Sequence, residues 1–550
     1  MSCQSQNQGY LHPYWDGTHF LYGVGERPRT LIELAMSHLS AEIRCKNNWW
    51  LLCEDRDWRE DLLEETKDRI WRIDTPCGTT EVVLNPAQLE YVLDELSGYA
   101  KLRDVDYGCQ VSCFERIWES SSLLPSEFLD SLSSNIQLLR DEQIPRDSIS
   151  HAVVDPFLYP LVYSHSLVKD TEGKLNILKP SPTPQDSYTA SNKFACIPSV
   201  FTISTNHTDK PTASCISYIN NIRPSYTALY SQIEKIVSLS VPLLEHVLTD
   251  LHRNNPLPQR IPGSCKYTEW NEPEEPEHSD DDEGWLNYER EIRRWALMRP
   301  LKLPDIAESG YPGGLEQRKH IVSLRGCKIK LIVEVTDIRL QPGGEPYNGT
   351  PFHVEGMRNE RVVACALHCL RLSNMKSLSV DFRMPVSSPK NFMPGDEGAT
   401  TRTWGLRDGA ACTQRLGGKC LREGFSIAFP NIYQHRIGPA RLVDTAKPGF
   451  ATIMGLYLVD PDLDDSIIPS ALTVPPQQKS WMKDAIESNL DVRIPNEVVE
   501  KIVEKLEGVM TEDEAQVYAQ KMRKEREVFW SRHNQFWCCL PFDLWTGGTG

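Results

Sequence analysis

The sequence predicts an α+β protein in which helical regions at both ends flank a β-rich centre, and three observations predict it. Apolar residues recur at helical spacing through most of the first 150 positions. Strand-like alternation and β-branched runs dominate from Val322 to Asp460. Beyond the turn-forming VPPQQ the text returns to charged, helical patterning, and there is no internal repeat. Four regions follow: an N-terminal helical region over 1–150, a mixed strand and helix region over 151–310 that supports the core, a β-rich core over 311–470, and a C-terminal helical region over 471–550.

Taken in order, Leu31, Leu34, Ala35, His38, Leu39 and Ile43 fall on one face of a helix over Thr30–Arg44, and Trp58–Ile73 and Pro86–Leu102 carry similar patterns. Pro156 and Pro160 break ISHAVVDPFLYPLVYSH into aromatic-rich loops and short extended pieces. PSVFTIST and ASCISYINNI read as strands. A long helix is expected from near Pro224, with a bend at Pro242. The acidic loop 271–284, in NEPEEPEHSDDDEGW, lacks calcium-ligand spacing and reads as a solvated insert. In the core, Ile329, Leu331, Val333 and Val335 alternate with Lys328, Lys330 and Glu334. VVACALHCL, SIAFPNIY and TIMGLYLVD are further strands, the last apolar enough to be buried on both faces. Thr511 and Glu514 form a capping box ahead of a charged helix reaching about Trp530.

Composition excludes some functions. The 550 residues hold 59 Lys and Arg against 76 Asp and Glu, a net charge of −17. Affinity for nucleic acid or an anionic membrane comes from cations neutralising phosphates, so neither is an expected partner. The start, MSCQSQNQGYLHPYWDG, has neither a basic region nor an apolar run, and no segment suits a bilayer span. A cytoplasmic protein is expected. Its 16 cysteines are scattered and many lie inside apolar segments, which suits reduced thiols better than a disulfide framework. Cys109 and Cys113 have metal-ligand spacing but no second pair, and adjacent Cys538 and Cys539 read as packing.

One constellation carries chemistry. In PYNGTPFHVEGMRNERVVACAL, His353 and Glu355 stand two apart at the end of an extended segment, which points both side chains to one face. Gly356 lets the chain turn before a strand. SIAFPNIYQHRIGPARL then supplies His435 at the end of another strand. Two histidines and one carboxylate form a facial triad for iron(II), with positions left for dioxygen and substrate. The same set also suits catalytic zinc. The plain structural alternative is a His and a Glu that satisfy each other while His435 packs elsewhere. About two His-x-Asp/Glu matches are expected by chance. The other two here, His207 with Asp209 and His278 with Asp280, lie in polar or acidic loops without that strand–glycine–strand setting.

DPFLYPLVY, SYINNIRP, PLLEHVLTDL, PFHVEGMRNERVVACAL, AFPNIYQHRIGP, LYLVDPD and VPPQQ, in this order, resemble the fungal family called domain of unknown function 4246 along nearly the whole chain. That family is similar to iron(II)- and 2-oxoglutarate-dependent dioxygenases. The resemblance implies a double-stranded β-helix, or jelly-roll, making 311–470 a jelly-roll metal-binding core. It implies His353, Glu355 and His435 as catalytic metal ligands. It also implies iron(II) and 2-oxoglutarate as cofactors, and dioxygen and a small organic molecule as partners. Hydroxylation, desaturation or ring formation would result, with fungal secondary metabolism as the setting.

Two departures bear on that expectation. The family typically reads Lys-Pro-Gly-His-Arg ahead of its last core strand, and the resemblance to 2-oxoglutarate enzymes, which usually use an Arg or Lys on that strand, implies that this arginine would hold the distal carboxylate. This chain reads Lys447-Pro448-Gly449-Phe450-Ala451. Arg441, Lys447 and Arg436 are the substitute cations for that carboxylate. His368, Cys369 and Leu370 replace a run of tyrosines, and His368 reads as a pocket-lining or core residue before a ligand. Trp404, Tyr433, Phe352 and Arg407 are candidates for lining the pocket. Two rival readings stand beside the dioxygenase. One is an oxygenase or cupin-type enzyme that does not use 2-oxoglutarate; the other is a non-catalytic binding protein on the same fold.

Overall fold

Alternation along Lys328–Leu340 divides the centre of the protein into two cores. Leu331, Val333 and Val335 enter one of them, while Ile332, Ile338 and Leu340 enter the other. The computed structural model describes residues 9–13, 25–142, 148–180, 188–206, 209–255, 257–263, 265–269, 271–278, 280–390, 392–464, 467–489 and 495–545. His207 lies outside them.

Lys328–Leu340 pairs antiparallel with Gly449–Val459, which pairs with Val362–Ser373, which pairs with Ser426–Pro430. These four strands are the middle of a nine-stranded sheet. Ser150–Val154, Ser199–Thr205 and Pro211–Cys215 extend it on one side, and Trp118–Ser120 and Gln110–Val111 on the other. A second antiparallel sheet holds Thr413–Cys420, Ser379–Pro385 and Gln434–Ile437 in that order. The segment from Tyr347 to His353 runs beside its last strand through single bridges, Tyr347 to Ala440 and His353 to His435.

The two sheets enclose one core, with Ile338, Cys365, Leu367 and Ile453 facing Val380, Phe382 and Leu416. On its other face the large sheet buries Ala366, Leu370, Met454 and Leu456 with the helix Thr227–Leu251. Gly449–Val459 is therefore covered on both sides, as its apolar run predicts. Arg140, from the helix Ser126–Glu142, clips the N-terminal region onto this sheet. Its guanidinium donates to both carboxylate oxygens of fully buried Asp337 at 2.8 and 2.9 Å, and to Thr452 at 2.9 Å.

Several sequence expectations meet the structure closely, and others need correction. Helices form over Leu31–Arg44, capped by Thr30, and over Pro86–Leu102, capped by an Asn85–Gln88 box. The capping box of Thr511 and Glu514 opens the helix Glu512–His533. The helix expected over Trp58–Ile73 ends at Thr66, and Ile70–Thr75 instead forms a hairpin with Gly78–Val83. Its alternating, β-branched residues satisfy the period of a strand better than that of a helix. The long helix starts at Thr227, after Pro224, and continues through Pro242. The second predicted strand of the 151–310 region is limited to Pro211–Cys215, and the acidic loop gives way to helix at Asp282. The cysteines among the described residues are free. No helix among them is long and apolar enough to cross a membrane.

Candidate metal centre

Backbone pairing brings the two histidines together. His353 and His435 each donate an N–H to the other's carbonyl at 3.0 Å. Glu355 follows two residues later, and Gly356 at φ +68° turns the chain away. A Cβ on Gly356 would lie 3.0 Å from Val362 and 3.1 Å from the Glu360 carboxylate, in a conformation that side chains rarely adopt. Buried Asn431 holds the turn. Its Oδ1 accepts the Glu355 N–H at 2.8 Å, and its Nδ2 donates to the carbonyls of Glu355 and Val362 at 2.8 and 2.9 Å.

The side chains converge as the backbone does. His353 Nε2 lies 3.2 Å and His435 Nε2 3.4 Å from the same oxygen of Glu355. One donor atom from each residue falls within 4.8 Å of the others, and the group could hold a metal ion. His353 Nδ1 lies 2.8 Å from the carbonyl of Pro351 and donates to it, so that in the neutral ring the lone pair is on Nε2. The Trp530 ring packs 4.5 Å from that of His353 and donates its N–H to the Val354 carbonyl at 3.2 Å; Phe429 packs 4.8 Å from His435. A lone pair directed into a shared space, a carboxylate and aromatic walls suit a divalent cation.

The electrostatics agree. Burial opposes ionisation of Glu355, but hydrogen bonds from His353 and His435 outweigh it and hold the carboxyl far below its usual range. Burial depresses His353 as well, yet its bond to Glu355 wins and raises its pKa above the ordinary 6.5. Burial and the neighbouring His353 lower His435. A metal takes neutral imidazole, so it competes with the proton that Glu355 favours on His353. Metal affinity should therefore fall as pH drops through and below the raised His353 pKa, approaching tenfold per unit for one displaced proton. Cobalt(II) titrations at several pH values check this; a flat profile would contradict it.

The space beside the triad contains an acid pair that motif reading missed. The Tyr457 hydroxyl donates to Glu334 at 2.5 Å, and the Thr336 hydroxyl donates to the other carboxylate oxygen at 3.1 Å. Burial, then the Glu355 charge, push the Glu334 carboxyl up to about 7. Gly455 stands directly across from Glu334, and a Cβ there would lie 2.7 Å from the Tyr457 hydroxyl. Gly455→Ala should displace Tyr457 and lose a hydrogen bond to a carboxyl, worth about 1–3 kcal/mol. Thermal unfolding beside Tyr457→Phe, which loses the same bond without a clash, checks this. Equal stability of Gly455→Ala and the parent would contradict it.

The expected cations lie elsewhere. Ala451 is buried opposite Ile338 and belongs to the core between the sheets. Around it the inward positions carry Ile332, Glu334, Thr336, Ile338, Leu340, Ile453 and Tyr457, with no cation among them. Arg441 is exposed, and Lys447 is exposed and paired with Asp444 at 3.3 Å. Arg436 follows His435 and so faces the opposite side of its strand, where it meets Asp381 at 2.9 Å. His368 is a core histidine, buried between the hydroxyls of Ser240 and Ser426 at 2.9 and 2.8 Å and depressed to about 4 by burial.

Among the lining candidates, Trp404 packs on Phe392, buried Tyr433 packs on Phe114, and Arg407 is exposed and 3.6 Å from Glu397. Phe352 alternates to the side away from His353. Cys109 and Cys113 are buried outside any such metal group among the described residues, and His278 is exposed.

Fold and site together define a protein of mixed helices and antiparallel sheets with a His–Glu–His group able to hold a metal. The chain belongs to the family described as Protein of unknown function (DUF4246), whose model matches residues 86–485. No curated protein matches. Solved structures show similarity over part of the chain, three of them as follows. IDO from Bacillus thuringiensis is 12% identical, with 29% of this chain and 66% of that one covered and a TM-score of 0.17. The Fe(II)/(alpha)ketoglutarate-dependent dioxygenase TqaL is 13% identical, with 34% and 57% covered and a TM-score of 0.18. A bsmA homolog from Methylobium petroleophilum PM1 is 10% identical, with 51% and 76% covered and a TM-score of 0.21.

Proposed function

We propose that this protein is a non-haem iron(II) oxygenase acting on a small organic molecule, and that its two facing sheets are the halves of a double-stranded β-helix. The convergence of His353, Glu355 and His435 within 4.8 Å of one another carries the reading. Iron held there would supply dioxygen activation, because two histidines and one carboxylate leave coordination positions open. The chain's own contribution is positioning and exclusion of water. Pro351 and Asn431 fix the ligands, while Trp530, Phe429 and the core between the sheets surround them. Nitric oxide, a dioxygen surrogate, tests the reading. Added anaerobically to iron(II)-loaded protein, it should give the EPR signal of a ferrous nitrosyl. Stoichiometric iron with no such signal would mean a closed, structural site.

Within this reading the geometry favours an oxygenase that does not use 2-oxoglutarate. A dicarboxylate is best held by a cation at its distal end, and the inward positions of the two strands around Ala451 carry none, with Glu334 the charged group among them. Anaerobic titration of the iron(II) protein with 2-oxoglutarate should give no visible charge-transfer band. A band at stoichiometric cosubstrate would restore the 2-oxoglutarate reading.

A further inference from the structure

The outward face of the smaller sheet carries a group of charges that the metal centre does not use. The guanidiniums of Arg383, Arg415 and Arg436 lie 4.6, 4.6 and 4.8 Å from the centre of one ring, that of buried Phe352. Arg383 and Arg415 are direct cross-strand neighbours, an arrangement in which like charges repel. Arg383 is held by neutral partners, donating to Gln434 at 2.6 Å and Asn534 at 3.0 Å. Arg436 takes the carboxylate of Asp381. Arg415 has the Phe352 ring but no hydrogen-bond or ion-pair partner among the described residues. Burial, then Arg436 and Arg383, depress its pKa; Asp74 and Asp381 are the acids that counter them, and Asp74 is exposed.

Three half-buried guanidiniums that outnumber their carboxylates leave local positive charge that a further counter-charge would balance. The aromatic face offers each only part of one, and their planar forks match tetrahedral oxyanions. We propose that Arg383, Arg415 and Arg436, floored by Phe352, bind a small multivalent oxyanion: phosphate or a phosphate monoester. The site is independent of the proposed oxygenase chemistry, yet it is joined to the metal centre through the chain. Phe352 precedes His353 and Arg436 follows His435, and those histidines share two backbone hydrogen bonds. An anion here would brace the two segments that present the histidines.

Calorimetric titration of the full chain with inorganic phosphate and with phenyl phosphate, in chloride buffer of matched ionic strength, tests the proposal. Saturable binding is expected, weakened at least about tenfold in Arg415→Gln. Arg415 makes no hydrogen bond to lose and its charge is repelled by its neighbours, so that variant should keep or raise its thermal midpoint in chloride and keep its cobalt(II) affinity. Arg415→Lys, which keeps the charge but not the fork, should fall between the two. Tighter binding of phenyl phosphate would assign the site to a monoester, and tighter binding of inorganic phosphate to the free ion. No saturable binding of either, or equal binding by the parent and Arg415→Gln, would overturn the proposal whether or not the metal centre is confirmed.

Discussion

His435→Ala should lower iron(II) and cobalt(II) affinity by more than about a hundredfold, since even partners that only orient a ligand are worth about 10–100-fold. The geometry explains why the loss is so large. Both Nε2 atoms address one oxygen of Glu355, so removing His435 leaves a two-donor site. The remaining pair is also self-satisfied: its bond to Glu355 holds on His353 the proton that a metal must displace. Anaerobic calorimetry with cobalt(II) measures the change. Affinity within a few-fold of the parent would place the metal elsewhere and leave the triad as three residues bonded to one another.

Arg526→Met should produce the largest loss of stability near the site. Arg526 donates to the Glu360 carboxylate at 2.6 Å, with both side chains almost wholly buried. The same carboxylate accepts the backbone N–H groups of Cys196 at 2.7 Å and Met357 at 2.6 Å. It therefore ties the C-terminal helix, the 188–206 segment and the turn after Glu355 together. Removing the cation strands a buried carboxylate, at about 3–5 kcal/mol. Glu360→Gln with Arg526→Met should recover part of this, because the stranded charge is gone. Trp530 lies one helical turn beyond Arg526, so loosening this anchor should also weaken metal binding through His353. Chemical denaturation of the single and double variants checks the prediction; a loss below about 1 kcal/mol would contradict it.

The parts legible in the sequence were those that local rules control. Capping at Thr30, Asn85 and Thr511, alternation through Lys328–Leu340 and the buried run of Gly449–Val459 each follow from spacing and side-chain chemistry. His353 and Glu355 are nameable because an i, i+2 pair before a glycine is local, whereas His435, about eighty residues on, is nameable from its place at a strand end and from the family resemblance. Register was not legible. Whether Arg436 or Ala451 faces the core depends on which strand lies opposite, and that is fixed by pairings such as Ile338 with Ala451 across more than a hundred residues. Glu334 and Tyr457 were hidden for the same reason, since their bond spans two strands. Trp530 reads as the end of a charged helix, and only the packing of that helix against Val354 and Met357 brings it to His353.

X-ray absorption at the iron edge of anaerobically loaded protein tests the central claim most directly. Two imidazoles with oxygen donors and no sulfur are expected in the parent, with one imidazole fewer in His353→Ala. Sulfur in the coordination shell, or an unchanged imidazole count in that variant, would contradict a centre built from His353, Glu355 and His435.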